Sequence, residues 1–227
     1  KAQASQFVKD YIDDLDERAE AISKGTVDPR EDNMLKITSD GRKVSYSQRM
    51  IDPALPYEPG CKIQLCADKV YEIWEKTKEK SSTQLIFCDL GTPKGEDKNK
   101  TAEQAEDDDS PVSEATENIS IYNDIKKMLM LKGVPAEEIA FIHEANTAEK
   151  KTKLSDEFNS GKIRVLIGST GKMGVGLNVQ KKIIAIHHLD APWRPGDMTQ
   201  QDGRGVRQGN ENDDIYIYYY VTEGTFD

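Results

Sequence analysis

The sequence has 227 residues, a formal charge of −10, and 36% hydrophobic against 32% charged residues. That length suits one domain with a sizeable extension, at roughly 150 residues per domain. No run approaches the ~18 apolar residues of a membrane span, and no basic-then-apolar leader opens the chain, so the expectation is a protein that stays off the membrane. The acidity is local: residues 94–118 hold nine acids and three bases, and residues 1–40 hold ten and six. The remainder is nearly balanced, so a nucleic-acid partner is not excluded by the net charge. Cys61, Cys66 and Cys88 make an odd count with poor zinc spacing, which predicts reduced, buried thiols in a cytoplasmic protein and no metal site. The chain opens Lys1-Ala2-Gln3 and stops just after a strand-like run, and it reads as a piece of a longer protein.

Taken in chain order, residues 3–24 place Phe7, Tyr11, Ile12, Leu15, Ala19 and Ile22 at helical spacing, with Gly25 as the stop. Prolines at 29, 53, 56 and 59 make 26–59 read as irregular structure with short elements. Residues 1–59 are thus expected as a helical and irregular extension, and 60–227 as the main domain. A helix from Lys62 and a buried strand at 84–90, QLIFCDL, open that domain. Residues 94–118 carry almost no large apolar side chain and are expected as a disordered or surface insert. Alternation then resumes. Helices are expected at 119–132 and 147–159, the latter capped by Thr147. Strands are expected at 139–142, 163–167, 183–187 and 215–221. A short helical segment follows the third of these five strands, and a helix falls within 195–208. Strands alternating with helices predict an α/β fold, a parallel sheet with helices on both faces.

Two stretches carry the chemistry. In RVLIGSTGKMGVGLNVQ, residues 164–180, a buried strand runs into a loop with glycines at 168, 171, 174 and 176. Backbone amides freed by glycine, with Ser169, Thr170 and Lys172 as further donors, suit a phosphate of a nucleotide or of a nucleic-acid backbone. A tight strand-to-helix turn explains the same glycines by packing. The spacing is not that of a P-loop: two residues separate Gly168 from Gly171, and Met173 follows the lysine where a P-loop has Ser or Thr. In QQDGRGVRQGN, residues 200–210, Arg204 and Arg207 lie three apart on a predicted helix, with Gln200 four before Arg204. Two guanidinium forks on one face suit phosphate or transition-state charge, although such pairs are also ordinary solvated surface. His187 and His188 follow an apolar strand without a ligand set and read as structural.

The two stretches together resemble motifs V and VI of superfamily-two helicases, and Swi/Snf-like ATPases in particular. HHLDAPWRPGDMTQQ between them, QLIFCDL as a motif IV, and AFIHEANTAEKKTKLSDEFNSG at 140–161 fit the same pattern over roughly 60–227. Residues 30–59 also resemble very large phage and mobile-element proteins that join an adenine methyltransferase to such a helicase. The resemblance implies the second RecA-like lobe of an ATP-dependent DNA translocase or helicase. It implies that Arg204 and Arg207 are arginine fingers, and that Gln200, Gly174 and Gly176 lie at the ATP site. Ser169, Thr170, Lys172, His143 and Trp193 fall in its DNA-facing blocks, with the DNA double-stranded. ATP and Mg2+ would be held mainly by a first RecA-like lobe, which would also carry the magnesium ligands. Two other readings stay open: a self-contained NTPase or kinase gripping phosphate with Gly171-Lys172 and magnesium with Asp190, and a catalytically silent helicase-like interaction module.

Overall fold

The computed structural model describes residues 1–92, 120–174, 177–190, 195–206 and 208–227. The acidic insert expected at 94–118 lies outside the described residues, as do Gly176, Trp193 and Arg207. The chain divides into two compact units, one built from Lys1–Lys62 and Val221–Asp227, the other from Ile63–Pro93 and Ser120–Tyr220.

In the first unit, helix α1 spans Gln6–Ser23, begun by the Ser5 side chain accepting from Val8 N and ended by Gly25 at φ +68°. Helix α2, Met34–Tyr46, falls where irregular structure was expected. Asn33 caps it through Lys36 N, and Ile37, Val44 and Tyr46 are buried. Gly41 in its middle lowers the helical signal of the sequence, and it is there for space: a Cβ at that position would lie 2.1 Å from the Phe226 ring. Arg18 ties the two helices together, with Nε 2.7 Å from Asp32 and Nη2 3.3 Å from Asp40. The last residues pack here as well. Ala2 and Thr222 form a parallel bridge, and the fully buried Lys62 donates to Asp227 at 2.5 Å.

The second unit is a five-stranded sheet in the order β2-β3-β1-β4-β5, with every pairing parallel. The strands are β1 Thr83–Phe87, β2 Ile139–Phe141, β3 Val165–Gly168, β4 Ile183–His188 and β5 Tyr216–Tyr219. The helices are α3 Lys62–Lys76, α4 Ile121–Leu131, α5 Ala148–Ser160, α6 Thr170–Gly174 and α7 Pro195–Asp202. Thr147 caps α5 as expected, and Gly161 at φ +83° closes it. All residues of β1 and β3 are buried, which is why Leu85–Phe87 and Val165–Ile167 appear as unbroken apolar runs rather than alternating ones, while the buried Gln84 of β1 is satisfied through Val70 O. The core below β3 gathers Leu154 and Phe158 of α5 with Leu166, Met173, Leu177 and Ile186.

The topology singles out β1. From it the chain leaves toward β2 on one side of the sheet, whereas from β3 it crosses to β4 on the other. Where outgoing connections part in this way, the carboxyl ends of the strands border a crevice. Phe87, Gly168 and His188 are register partners across β1, β3 and β4, so the three strands end level with one another.

Gly168 answers to packing. A Cβ there would lie 2.5 Å from the Ile142 side chain and 2.6 Å from Met173, whereas around Gly171 nothing lies within 4 Å. Gly168→Ala is therefore expected to destabilise the protein by about 1–3 kcal/mol through overpacking. Gly171→Ala, in an open helical position, should be neutral or stabilise by up to about 1 kcal/mol. Urea denaturation of the two variants checks this; equal effects would refute the packing role.

Candidate functional site at the carboxyl edge of the sheet

Immediately beyond the level row of strand ends stand Asp89 after β1, Ser169 and Thr170 after β3, and Asp190 after β4. They are joined directly. Thr170 donates its backbone N–H and its hydroxyl to the two oxygens of Asp89, each at 2.7 Å. Asp89 N donates to Asp190 Oδ2 at 2.6 Å. In the NTPase reading Asp190 would ligate magnesium; here its carboxylate is engaged by a backbone amide. Among the described residues no group of three or more His, Cys, Asp or Glu side chains is arranged to hold a metal ion.

The segment at the end of α7 closes over these ends, and consecutive residues grip different elements. Gln201, 3% exposed, donates from Nε2 to Thr170 Oγ1 at 2.6 Å. Asp202 accepts from His188 Nε2 of β4 and from the Tyr219 hydroxyl of β5, both at 2.8 Å. Arg204 Nη1 donates to Leu177 O at 3.2 Å. The helix expected to carry both arginines ends at Asp202. Gly203 and Gly205 explain the early stop, since two glycines in three residues weaken a helix. Arg204 consequently turns inward and is 5% exposed, not on a solvated helical face. Gln200 is exposed, and it is its neighbour Gln201 that enters the network.

The remaining candidates surround this edge. Ser169 and Thr170 are half-buried, and Lys172 is exposed on α6. His143, just past β2, packs edge-on against Tyr122, ring centroids 5.3 Å apart. The Tyr122 hydroxyl donates to Cys88 O at 2.6 Å. Burial, with Lys172 nearby, lowers the affinity of His143 for a proton. Gly174 ends α6. Asp89, Gln201 and Asp202 were not singled out by sequence. An aspartate after an apolar strand looks like any turn residue, and the one available signal was its place at the end of a buried strand.

His188 and His187 anchor the last strand. His188 stacks between Phe87 at 5.4 Å and Tyr219 at 4.7 Å, in the row the register dictates. His187 Nε2 lies 3.0 Å from Gln84 Oε1, and Nδ1 lies 2.8 Å from the Tyr220 hydroxyl. An amide oxygen only accepts, so Nε2 carries the proton and Tyr220 donates to Nδ1. Burial pushes His187 down to about 3. It also lowers His188, against the opposing pull of Asp202. Both are held within the sheet by these contacts.

Comparison with known proteins bears on the fold. Residues 110–209 match the family model described as "Helicase conserved C-terminal domain". The C-terminal part of the Fun30 ATPase domain has the same fold, with a TM-score of 0.61 at 13% identity, over 99% of this chain and 84% of that one. Residues 110–209 thus resemble a helicase C-terminal domain, and the chain shares its fold with the C-terminal part of the Fun30 ATPase domain. "Defense against restriction protein B" of Escherichia phage P1 is 35% identical over 75 residues. That match takes in 33% of this chain but 3% of the phage protein. A DNA-bound structure of the DUF1998 helicase MrfA is more distant, with a TM-score of 0.42 at 11% identity over 68% of this chain and 18% of that one.

The three histidines are the whole complement of the chain, and all three bind protons less readily than free imidazole. Above about pH 6.5 folded and unfolded chains are both neutral at these sites, and stability should not depend on them. Below it the unfolded chain takes up protons that the folded one refuses, so stability falls with falling pH. For His187 the window runs from the free value of about 6.5 down to about 3. Its slope approaches about 1.4 kcal/mol per pH unit, with smaller additions from the other two. Urea midpoints at pH 7.5, 6.5 and 5.5 test this; a flat profile would contradict the buried neutral imidazoles.

Proposed function

We propose that the chain is the second lobe of an ATP-driven DNA translocase, working against a first RecA-like lobe that holds most of the nucleotide. The observation that carries the reading is the hydrogen-bonded union of the two motif-bearing segments at one edge of the sheet, through Gln201 with Thr170 and Arg204 with Leu177. In a motor of this type the segment that answers to nucleotide and the loop that answers to nucleic acid must be neighbours. The helicase C-terminal match over 110–209 supports the same assignment.

When bound, ATP with Mg2+ supplies the phosphoanhydride that is cleaved. The chain itself offers support for the nucleotide more than a grip on it, because no GxxxxGK[ST] phosphate loop occurs in its sequence. Arg207 is the finger in this reading, with Gln200 and the glycines at 174 and 176 beside the nucleotide. Arg204, turned inward onto Leu177, holds the adjoining loop in place for that finger. Toward double-stranded DNA the loop offers Ser169 and the exposed Lys172, and His143 and Trp193 are assigned to the same partner in this reading. Thr170, proposed with them, has both donors engaged by Asp89, which favours an internal role.

In the full-length protein, Arg207→Ala should lower ATP turnover by ~10³-fold, the low end for a lost arginine finger, with little change in DNA affinity or thermal stability. Arg204→Ala should also lower the melting temperature, because it leaves a buried carbonyl without its donor. The 227-residue chain alone should hydrolyse ATP no faster than background in a steady-state assay with DNA. Turnover near 1 per second by this chain, abolished by Lys172→Ala, would overturn the proposal in favour of a self-contained NTPase.

A further inference from the structure

We infer that Gln201 and Asp89 are positioning residues that make the loop after β3 and the end of α7 move as one body, an inference that rests on the translocase reading above. The resemblance assigns a role to neither residue.

The loop that follows β3 is gripped at two points seven residues apart. At one end Thr170 is completely specified. Its hydroxyl proton goes to Asp89 Oδ2, a lone pair of the same oxygen accepts from Gln201 Nε2, and its backbone N–H goes to Asp89 Oδ1. Asp89 is in turn steadied by its own N–H on Asp190. At the other end Leu177 O takes the Arg204 guanidinium. The grips come from residues three apart in sequence, on a segment that Asp202 pins to His188 and Tyr219. Gln201 and Arg204 are nearly inaccessible, at 3% and 5% exposure, so water cannot readily replace a broken bond. Sliding the loop past α7 would strand buried donors and acceptors, whereas moving both together strands none. A displacement imposed by nucleotide on the end of α7 is therefore delivered to Ser169 and Lys172, through residues that touch neither ligand.

The test uses the full-length protein, with four measurements on each variant: ATP turnover without DNA, turnover at saturating DNA, the DNA dissociation constant and the melting temperature. For Gln201→Leu the ratio of DNA-stimulated to basal turnover should fall by about fivefold to tenfold, the worth of one buried hydrogen bond. Basal turnover and DNA affinity should stay within about twofold. Asp89→Asn, at a half-buried position where repacking is easier, should lower the same ratio. Thr170→Ser keeps both donors and should preserve the ratio, while Thr170→Val should lose it. The double variant Gln201→Leu/Thr170→Val should be no worse than the worse single one, because both act through one bond. Full stimulation in Gln201→Leu and Asp89→Asn, or losses that multiply in the double variant, would overturn the inference. So would a fall in basal turnover and melting temperature with the ratio intact, which marks a structural residue only. Failure of the translocase reading shows separately, as an unmodified full-length protein whose ATP turnover does not respond to DNA.

Discussion

Parallel pairing sends the carboxyl ends of all five strands to one edge, and the register of β1 with β3 and β4 makes those ends level. The rest of the site depends on this constraint. Residues far apart in sequence, at 89, 170 and 190, become neighbours because each follows a strand that stops in the same row. The central position of β1 matters most. It lies between β3 and β4, its outgoing connection leaves in the opposite sense to theirs, and Asp89 after it meets both Thr170 and Asp190.

A polar network built at such an edge is costly unless nearly all of its members are satisfied. Here most are, and the partners are divided so that no one group carries the whole. The Asp89 carboxylate takes both donors of Thr170, and Asp202 takes one donor from β4 and one from β5. Two atoms remain buried without partners, His188 Nδ1 and Gln201 Oε1. Both are acceptors in the arrangement described.

The sequence was legible where physics is local or one-sided. Buried strands appear as apolar runs, Thr147 as a cap and Gly25 as a stop, because each depends on neighbours within a turn of chain. Legibility failed where a distant partner decides. Helix α2 was hidden because Gly41, a poor helix former, is set by the Phe226 ring rather than by propensity. Asp89 could not be found because its partner Thr170 is 81 positions away. Arg204 and Arg207 were given one helical face because the 3.6 period was carried past Asp202. Ending the helix there is what turned Arg204 inward.

Charge gives the same edge a direction. The chain is acidic overall, and three of its carboxylates stand at this end of the sheet, where free carboxylates would repel a phosphate. Each of them is turned to internal use. Asp89 is covered by Thr170, Asp190 by the amide of Asp89, and Asp202 by His188 and Tyr219. A carboxylate that accepts hydrogen bonds from fixed donors has part of its field cancelled at close range. Lys172 by contrast stands exposed on the short helix beside them. Hydrogen bonding leaves each carboxylate its charge but turns it inward, whereas the lysine presents its charge to solvent. Net charge is a poor guide to the partner of such an edge, and the direction in which each charge is tied is a better one.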